Sequence, residues 1–314
     1  STAAIDRSSE FNMQGIANIV WAFATCEWHH SPLLESIAAQ AVLIGGTGKP
    51  QELANTLWAC ATLAYCDLRL MEALAEVSIS KIDEFVPQDH SNIAWAFATL
   101  ECPHPPLCRV LSARAIQQIP EFRPQHLVNT AWAFANLRSP NPPLFNAIGS
   151  EALRRLPAFL PHALASTAWA FSRVACTDGP LVSAIARCAV PALSEGRLAE
   201  RNAGMLLWSA SRLPDLTSVW ELLNASRAKG MRFSGLSLSG PYMACQQRCL
   251  DAERIALISE HLAHGGMSPA ATAAAAAALA DSGRSEEALD ILRHAAASSG
   301  CLSSAAEQGW FARG

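Results

Sequence analysis

Charge is scarce in this sequence, and so are aromatic rings. Asp, Glu, Lys and Arg together make up 16% of the 314 residues, and Phe, Trp and Tyr only 7%. The formal charge is −4. A protein that binds nucleic acid mainly through phosphates carries a basic balance. This one does not, and neither half is a basic tail, so any nucleic-acid binding has to rest on local patches or on uncharged contacts. No apolar run approaches the roughly 18–20 residues that cross a bilayer. The alanine run at 273–278 is too short and too weakly hydrophobic, which excludes a membrane span from the reading. Cysteine is not scarce, with ten residues, but it lacks regular spacing. Several cysteines (Cys26, Cys60) lie inside apolar helical patterns, where a thiol behaves as a small buried hydrophobe. All ten are read as reduced, which points to an intracellular or organellar compartment. The first residue is Ser1 rather than methionine, which leaves room for a removed leader.

What the chain does have is repetition. "NIVWAFATC" (from Asn18), "NTLWACATL" (Asn55), "NIAWAFATL" (Asn92), "NTAWAFANL" (Asn129) and "STAWAFSRV" (Ser166) are near copies, and their tryptophans Trp21, Trp58, Trp95, Trp132 and Trp169 are each 37 residues apart. A weaker sixth copy, "MLLWSASRL", carries Trp208. A fixed period of this size marks a stacked repeat array. The unit around Trp132 reads as two helices. The first opens at Pro124, where a missing N–H costs nothing. The second is capped by Asn141 and opens at Pro142 and Pro143. A leucine always lies twelve residues after the tryptophan: Leu33, Leu70, Leu107, Leu144 and Leu181. The predicted fold is all-α: an α-solenoid, a right-handed superhelix of antiparallel helix pairs with 37-residue repeats. Residues 1–200 form the array of about five repeats. Residues 201–314 form a degenerate capping repeat and further helical hairpins.

At about 100° per residue, the first helix of each unit, helix A, divides into sectors. The positions two after the tryptophan (Phe23, Cys60, Phe97, Phe134, Phe171), five before it (Ile16, Leu53, His90, Leu127, Leu164) and five after it (Cys26, Leu63, Leu100, Leu137, Val174) make one apolar face. Alanines one and three after the tryptophan lie on the two flanks and let neighbouring A helices approach. The remaining sector is polar and is copied as faithfully as the core. It holds Gln14, Gln51, Gln88, Gln125 and His162; then Asn18, Asn55, Asn92, Asn129 and Ser166; then Thr25, Thr62, Thr99, Asn136 and Arg173; and the tryptophans themselves. Two readings fit. In one, amides bridge neighbouring repeats and tryptophan plugs the seam between them. In the other, amides read base edges and aromatic faces stack unpaired bases. The seam is preferred for the tryptophans, because large aromatics are mostly buried. For the amides both readings stand. Arg173 and Arg212 are the expected phosphate contacts.

"KPQELANTLWACATL" (Lys49 to Leu63) and "RPQHLVNTAWAFANL" (Arg123 to Leu137) resemble the signature of the octotricopeptide and heptatricopeptide repeat families, and more distantly the helical repeats of FAST-kinase-like and RAP proteins. The resemblance covers residues 11 to about 200. It implies an α-solenoid that binds single-stranded RNA in a mitochondrion or chloroplast and acts in transcript stability, processing, translation or ribosomal RNA organisation, alongside other proteins of a ribonucleoprotein complex. The sixth unit departs from the pattern, with Met205 in the Asn position. Further on, "GRSEEALDILRHAAASSG" (Gly283 to Gly300) is similar to the second helix of a pentatricopeptide repeat, with Ser285 as its cap, and "LDAERIALISEHLAHGG" (Leu250 to Gly266) aligns with it. "SVWELLNASRAKG" (Ser218 to Gly230) reads as an older copy.

Chemistry is not apparent. "GGTGK" (Gly45 to Lys49) is not a phosphate loop, since Leu43 stands where a glycine is required and Pro50 replaces the Ser/Thr. Cys245 and Cys249, with His261 and His264 nearby, have spacing too weak for a metal site. His29 and His30 in "EWHH" read as surface histidines. No metal, no cofactor and no enzymatic activity are expected. The alternative to RNA binding is a structural scaffold subunit of a large organellar complex such as a ribosome, holding mainly protein.

Overall fold

The computed structural model describes residue 5, residues 7–139, 141–174 and 179–231, and single residues at 241, 244, 276, 286, 289 and 293. The hairpins expected within 250–300 and the Cys245, Cys249, His261 and His264 group lie outside the described residues. Those that are described form helices and turns, with no strand among them. They fall into two compact units, Ser1–Ala184 and Ile185–Gly314.

In the first unit the A helices are α1 (Met13–Thr25), α3 (Pro50–Thr62), α5 (Pro87–Thr99), α7 (Pro124–Asn136) and α9 (Pro161–Arg173). The B helices are α2 (Ser31–Ile44), α4 (Leu68–Ser80), α6 (Pro105–Gln118), α8 (Pro142–Arg155) and α10 (Gly179–Ser194), the last crossing the boundary between the units. Each of these A helices lies along the A helices of its neighbouring repeats, as α2, α4, α6 and α8 do along one another. This is the helical solenoid that the period predicts. A helices approach one another more closely than B helices do, so A forms the tighter, inner layer of the stack.

The starts of the helices follow local chemistry. Proline opens α3, α5, α7 and α9. In α3 the N–H of Lys49 donates to Glu52 Oε2 (3.0 Å), and in α5 that of Val86 donates to Asp89 Oδ2 (3.2 Å). The B helices take their cap from one repeated position. His30 Nδ1, Asp67 Oδ1, His104 Nδ1 and Asn141 Oδ1 accept from the N–H of Leu33, Leu70, Leu107 and Leu144, at 3.1–3.2 Å. Those four leucines are buried, because the cap presses the first turn of helix B onto helix A, and Leu181 is buried as well.

The A helices end in a way the sequence reading missed. Glu27, Ala64, Glu101 and Arg138 all have φ of 50–53° and lie 37 residues apart. The N–H of the next residue reaches back to a carbonyl five residues earlier: Trp28 to Phe23 (3.0 Å), Tyr65 to Cys60 (2.8 Å), Cys102 to Phe97 (3.0 Å) and Ser139 to Phe134 (3.2 Å). This is the left-handed helix cap that glycine usually fills, as Gly196 and Gly230 do further along. A non-glycine residue there costs roughly 1–2 kcal/mol in backbone strain, against the entropy that glycine loses on folding. Glu101→Gly is therefore expected to raise stability by about 0.5–1 kcal/mol, measured by urea unfolding. A loss of stability instead would show that the Glu101 side chain contributes more than its backbone strain costs.

Repeats are fastened at the far end of the B helices. Lys81 Nζ donates to Gly48 O (2.6 Å), Gln118 Nε2 to Phe85 O (3.1 Å) and Arg155 Nη1 to Phe122 O (2.6 Å). Donors and acceptors both recur every 37 residues. Lys81 also donates to Gly46 O (2.9 Å), so "GGTGK" is a turn between repeats whose carbonyls are held by a lysine. The phenylalanines beside the seam, Phe85, Phe122 and Phe159, are buried.

The second unit is described through α11 (Glu200–Ala210) and α12 (Thr217–Ala228), which pack on each other. Leu206, Leu207, Val219, Leu222 and Leu223 form their buried side.

Candidate nucleic-acid interface

The wheel sectors fall on the surface largely as the pattern predicts. Leu53, Leu127, Leu164, Phe97, Phe134 and Phe171 are buried between the layers. The face is narrower than expected on one side. Of the positions five after the tryptophan only Leu63 is buried; Leu100, Leu137 and Val174 are half-buried, and Cys26 is exposed. That position is the C-cap, one residue beyond the end of the helix, where the chain already turns away. The flanking alanines have distinct partners. In α1 Ala24 is buried and Ala22 is exposed, whereas Ala59, Ala61, Ala96, Ala98, Ala133 and Ala135 are all buried. The alanine three after the tryptophan thus faces the following repeat, and the one after it faces the preceding repeat.

The polar sector is open to solvent along the A layer. Gln14, Gln51, Gln88, Gln125 and His162 are exposed, as are Asn18, Thr25, Thr62 and Arg173. Asn55, Asn92, Asn129, Ser166, Thr99 and Asn136 are half-buried. The tryptophans lie between the two readings. Trp58, Trp95, Trp132 and Trp169 are half-buried and Trp21 is 49% exposed, so none is sealed in a seam. The alanines beside the tryptophans are buried where adjacent A helices meet.

Bridging of repeats by the stripe amides is also not what is found. Gln125 Nε2 donates to Asn129 Oδ1 (2.7 Å) and Asn136 Nδ2 to Trp132 O (3.0 Å), both within one helix. Thr25 and Thr62 hydroxyls donate to Trp21 O and Trp58 O, each at 3.0 Å. Thr99 Oγ1 is shielded without a partner. Asn18, Asn55 and Asn92 show no side-chain hydrogen bond to another repeat. The seam is fastened elsewhere, by Lys81, Gln118 and Arg155, and no stripe amide is used to join one repeat to the next.

Cations collect at the C-terminal end of the stripe in this unit. The Arg173 guanidinium lies 5.2 Å over the Trp169 ring and donates to Ala135 O (3.3 Å). With Arg138, Ala135 and Val174 it lines an open groove of about 390 Å³. Among the described residues neither arginine has a carboxylate partner. Arg138, on the left-handed cap, was not picked out by sequence, although it stands where Glu27 and Glu101 stand in earlier repeats. The cation–π pairing recurs in the second unit, where Arg212 lies 5.1 Å over Trp208.

Among the described residues there is no group of three or more His, Cys, Asp or Glu side chains placed to hold a metal ion, and no helix long and apolar enough to cross a membrane. His30 is occupied as a helix cap and sits edge-on to Trp28.

No curated protein matches this chain. A family model described as "RNA-editing substrate-binding complex 6 protein" matches residues 2–203. That span takes in all five strong copies of the tryptophan motif and ends just before the weak copy around Trp208. The chain therefore belongs to the RNA-editing substrate-binding complex 6 protein family, as an RNA-associated helical-repeat member.

Proposed function

We propose that this protein is an RNA-binding subunit of an RNA-editing substrate-binding complex, and that it holds single-stranded RNA along the inner layer of its A helices. The observation that carries this reading is the open stripe. Amides, hydroxyls and partly exposed indoles recur every 37 residues on one face, and seam bonds do not consume the amides. Partly exposed tryptophans offer a face on which a base stacks, and amides not committed to another repeat offer donors and acceptors for base edges. The octotricopeptide and heptatricopeptide resemblance supports the same use, and a location in a mitochondrion or chloroplast. The role is binding rather than catalysis.

The test is anisotropy of a labelled RNA oligonucleotide. Asn55→Ala, Asn92→Ala and Asn129→Ala combined are expected to weaken binding at least tenfold, at roughly 0.5–1.5 kcal/mol per lost hydrogen bond. With only Arg138 and Arg173 reaching phosphate, the slope of log affinity against log salt is expected near −1.4, at about −0.7 per contact on a single strand. Unchanged affinity in the folded triple variant removes the amides from the RNA path.

The second reading is a scaffold that holds mainly protein. The formal charge of −4 favours it, because a phosphate-bound surface is ordinarily basic. Treating complexes with RNase separates the two: a scaffold keeps its partners, whereas an RNA-held assembly falls apart.

A further inference from the structure

Cys66 and Cys102 stand in the A–B turns of adjacent repeats, with their sulfur atoms 3.2 Å apart. Both are free thiols; Cys66 is exposed and Cys102 half-buried, so both are accessible to a solute. Their backbones are held independently. Cys102 N–H closes the cap of α5 on Phe97 O (3.0 Å), and Cys66 precedes Asp67, the cap of α4. Joining the sulfurs needs a shift of about 1 Å, since the bond is about 2.05 Å long. The other described cysteines differ. Cys60 and Cys108 are buried in the core, where burial pushes the Cys60 thiol up to about 12, and among the described residues Cys26 and Cys188 show no contact with another sulfur.

We propose that Cys66 and Cys102 are a reversible disulfide site that fixes the spacing of the second and third repeats. The oxidant is a small-molecule disulfide such as oxidised glutathione. The Cys66 thiolate attacks one sulfur of that disulfide and expels the other as a thiol, leaving a mixed disulfide on Cys66. Cys102 then attacks the Cys66 sulfur and releases the second thiol. Two protein thiols are oxidised, one disulfide is reduced to two thiols, and the two protons pass to the leaving sulfurs. Cys66 is the more exposed of the two and reacts first, while burial, together with the neighbouring Cys66, pushes the Cys102 thiol up to about 11. The bond ties together the ends of α3 and α5, where Thr62 and Thr99 belong to the stripe. The inference stands on the turns alone and does not depend on RNA binding.

The test is equilibration of the whole chain in reduced and oxidised glutathione, alkylation of the remaining thiols, and peptide mapping by mass spectrometry. The expected result is one bond, Cys66 to Cys102, with two hydrogens lost from the intact mass and a midpoint of thermal unfolding raised by about 5 °C. Cys66→Ser and Cys102→Ser each abolish both changes. Thiols that stay reduced in the oxidising buffer, a persistent glutathione adduct on Cys66, or bonds to other cysteines or between molecules each overturn the proposal.

Discussion

Replacing Trp58, Trp95 and Trp132 together by alanine is expected to weaken single-stranded RNA binding by roughly a hundredfold or more. A base stacked on an aromatic ring is worth about 1–3 kcal/mol. Three such contacts at the low end give about 3 kcal/mol, or some two orders of magnitude in affinity. The effect exceeds that of the asparagines, because stacking also removes apolar surface from water. The same rings are half-buried, so alanine also costs packing and is not a clean probe alone. Leucine at the three positions keeps an apolar side chain against the neighbouring helices and removes the planar face. Both variants are measured by oligonucleotide anisotropy, with circular dichroism and thermal unfolding to verify the fold. If the leucine variant folds and binds RNA as the parent does, the tryptophans are structural and the stripe does not stack bases.

The array and its hairpins were legible because the period is strict and the local signals agree. Proline opens the A helices, a polar cap precedes helix B, and a leucine always follows twelve residues after the tryptophan. The inner polar stripe was legible for the same reason. The depth of the tryptophans was not. Sequence places Trp58 and Trp95 on the edge of the wheel, but how far they are covered depends on how closely adjacent A helices approach. The alanines beside them set that spacing. The left-handed caps were hidden because Glu27, Ala64, Glu101 and Arg138 share no residue type, and glycine is the signal ordinarily sought there. The seam fasteners Lys81, Gln118 and Arg155 are likewise three different residues with one common property, a long side chain ending in N–H donors. A comparison by chemistry at a period of 37 would have found them. Arg138 gained its meaning only once its groove with Arg173 was seen.

His90 is where the core pattern is broken, and acid is expected to expose it. It occupies the position filled by Ile16, Leu53, Leu127 and Leu164 in the other repeats, and it is only 1% exposed. Phe85 and Phe122 lie against its ring at 5.7 and 6.5 Å between centroids. Neither ring nitrogen has a hydrogen-bond partner, and Gln118 Oε1 is also buried and unpaired. Burial lowers the imidazole pKa to about 4; Gln118, near but outside hydrogen-bonding geometry, opposes this, and the Arg114 charge adds to it. The folded state therefore refuses a proton that the unfolded chain accepts near pH 6.5. Stability contributed by the neutral ring is complete above that pH, falls as pH drops from about 6.5 to 4, and levels off below. At about 1.4 kcal/mol per unit, the loss at the acid end is somewhat over 3 kcal/mol. His126, also lowered by burial, adds in the same direction. Asp89, whose carboxyl is raised by burial, acts in the opposite one. His90→Leu isolates the term, because only the His90 contribution vanishes. The variant is expected to be more stable than the parent at pH 7.5, since it removes two unpaired buried nitrogens, with the gap widening by about 2–3 kcal/mol at pH 4.5. Urea unfolding followed by tryptophan fluorescence at the two pH values measures it. An equal gap at both would mean that water or Gln118 satisfies the ring and that the imidazole titrates normally in the fold.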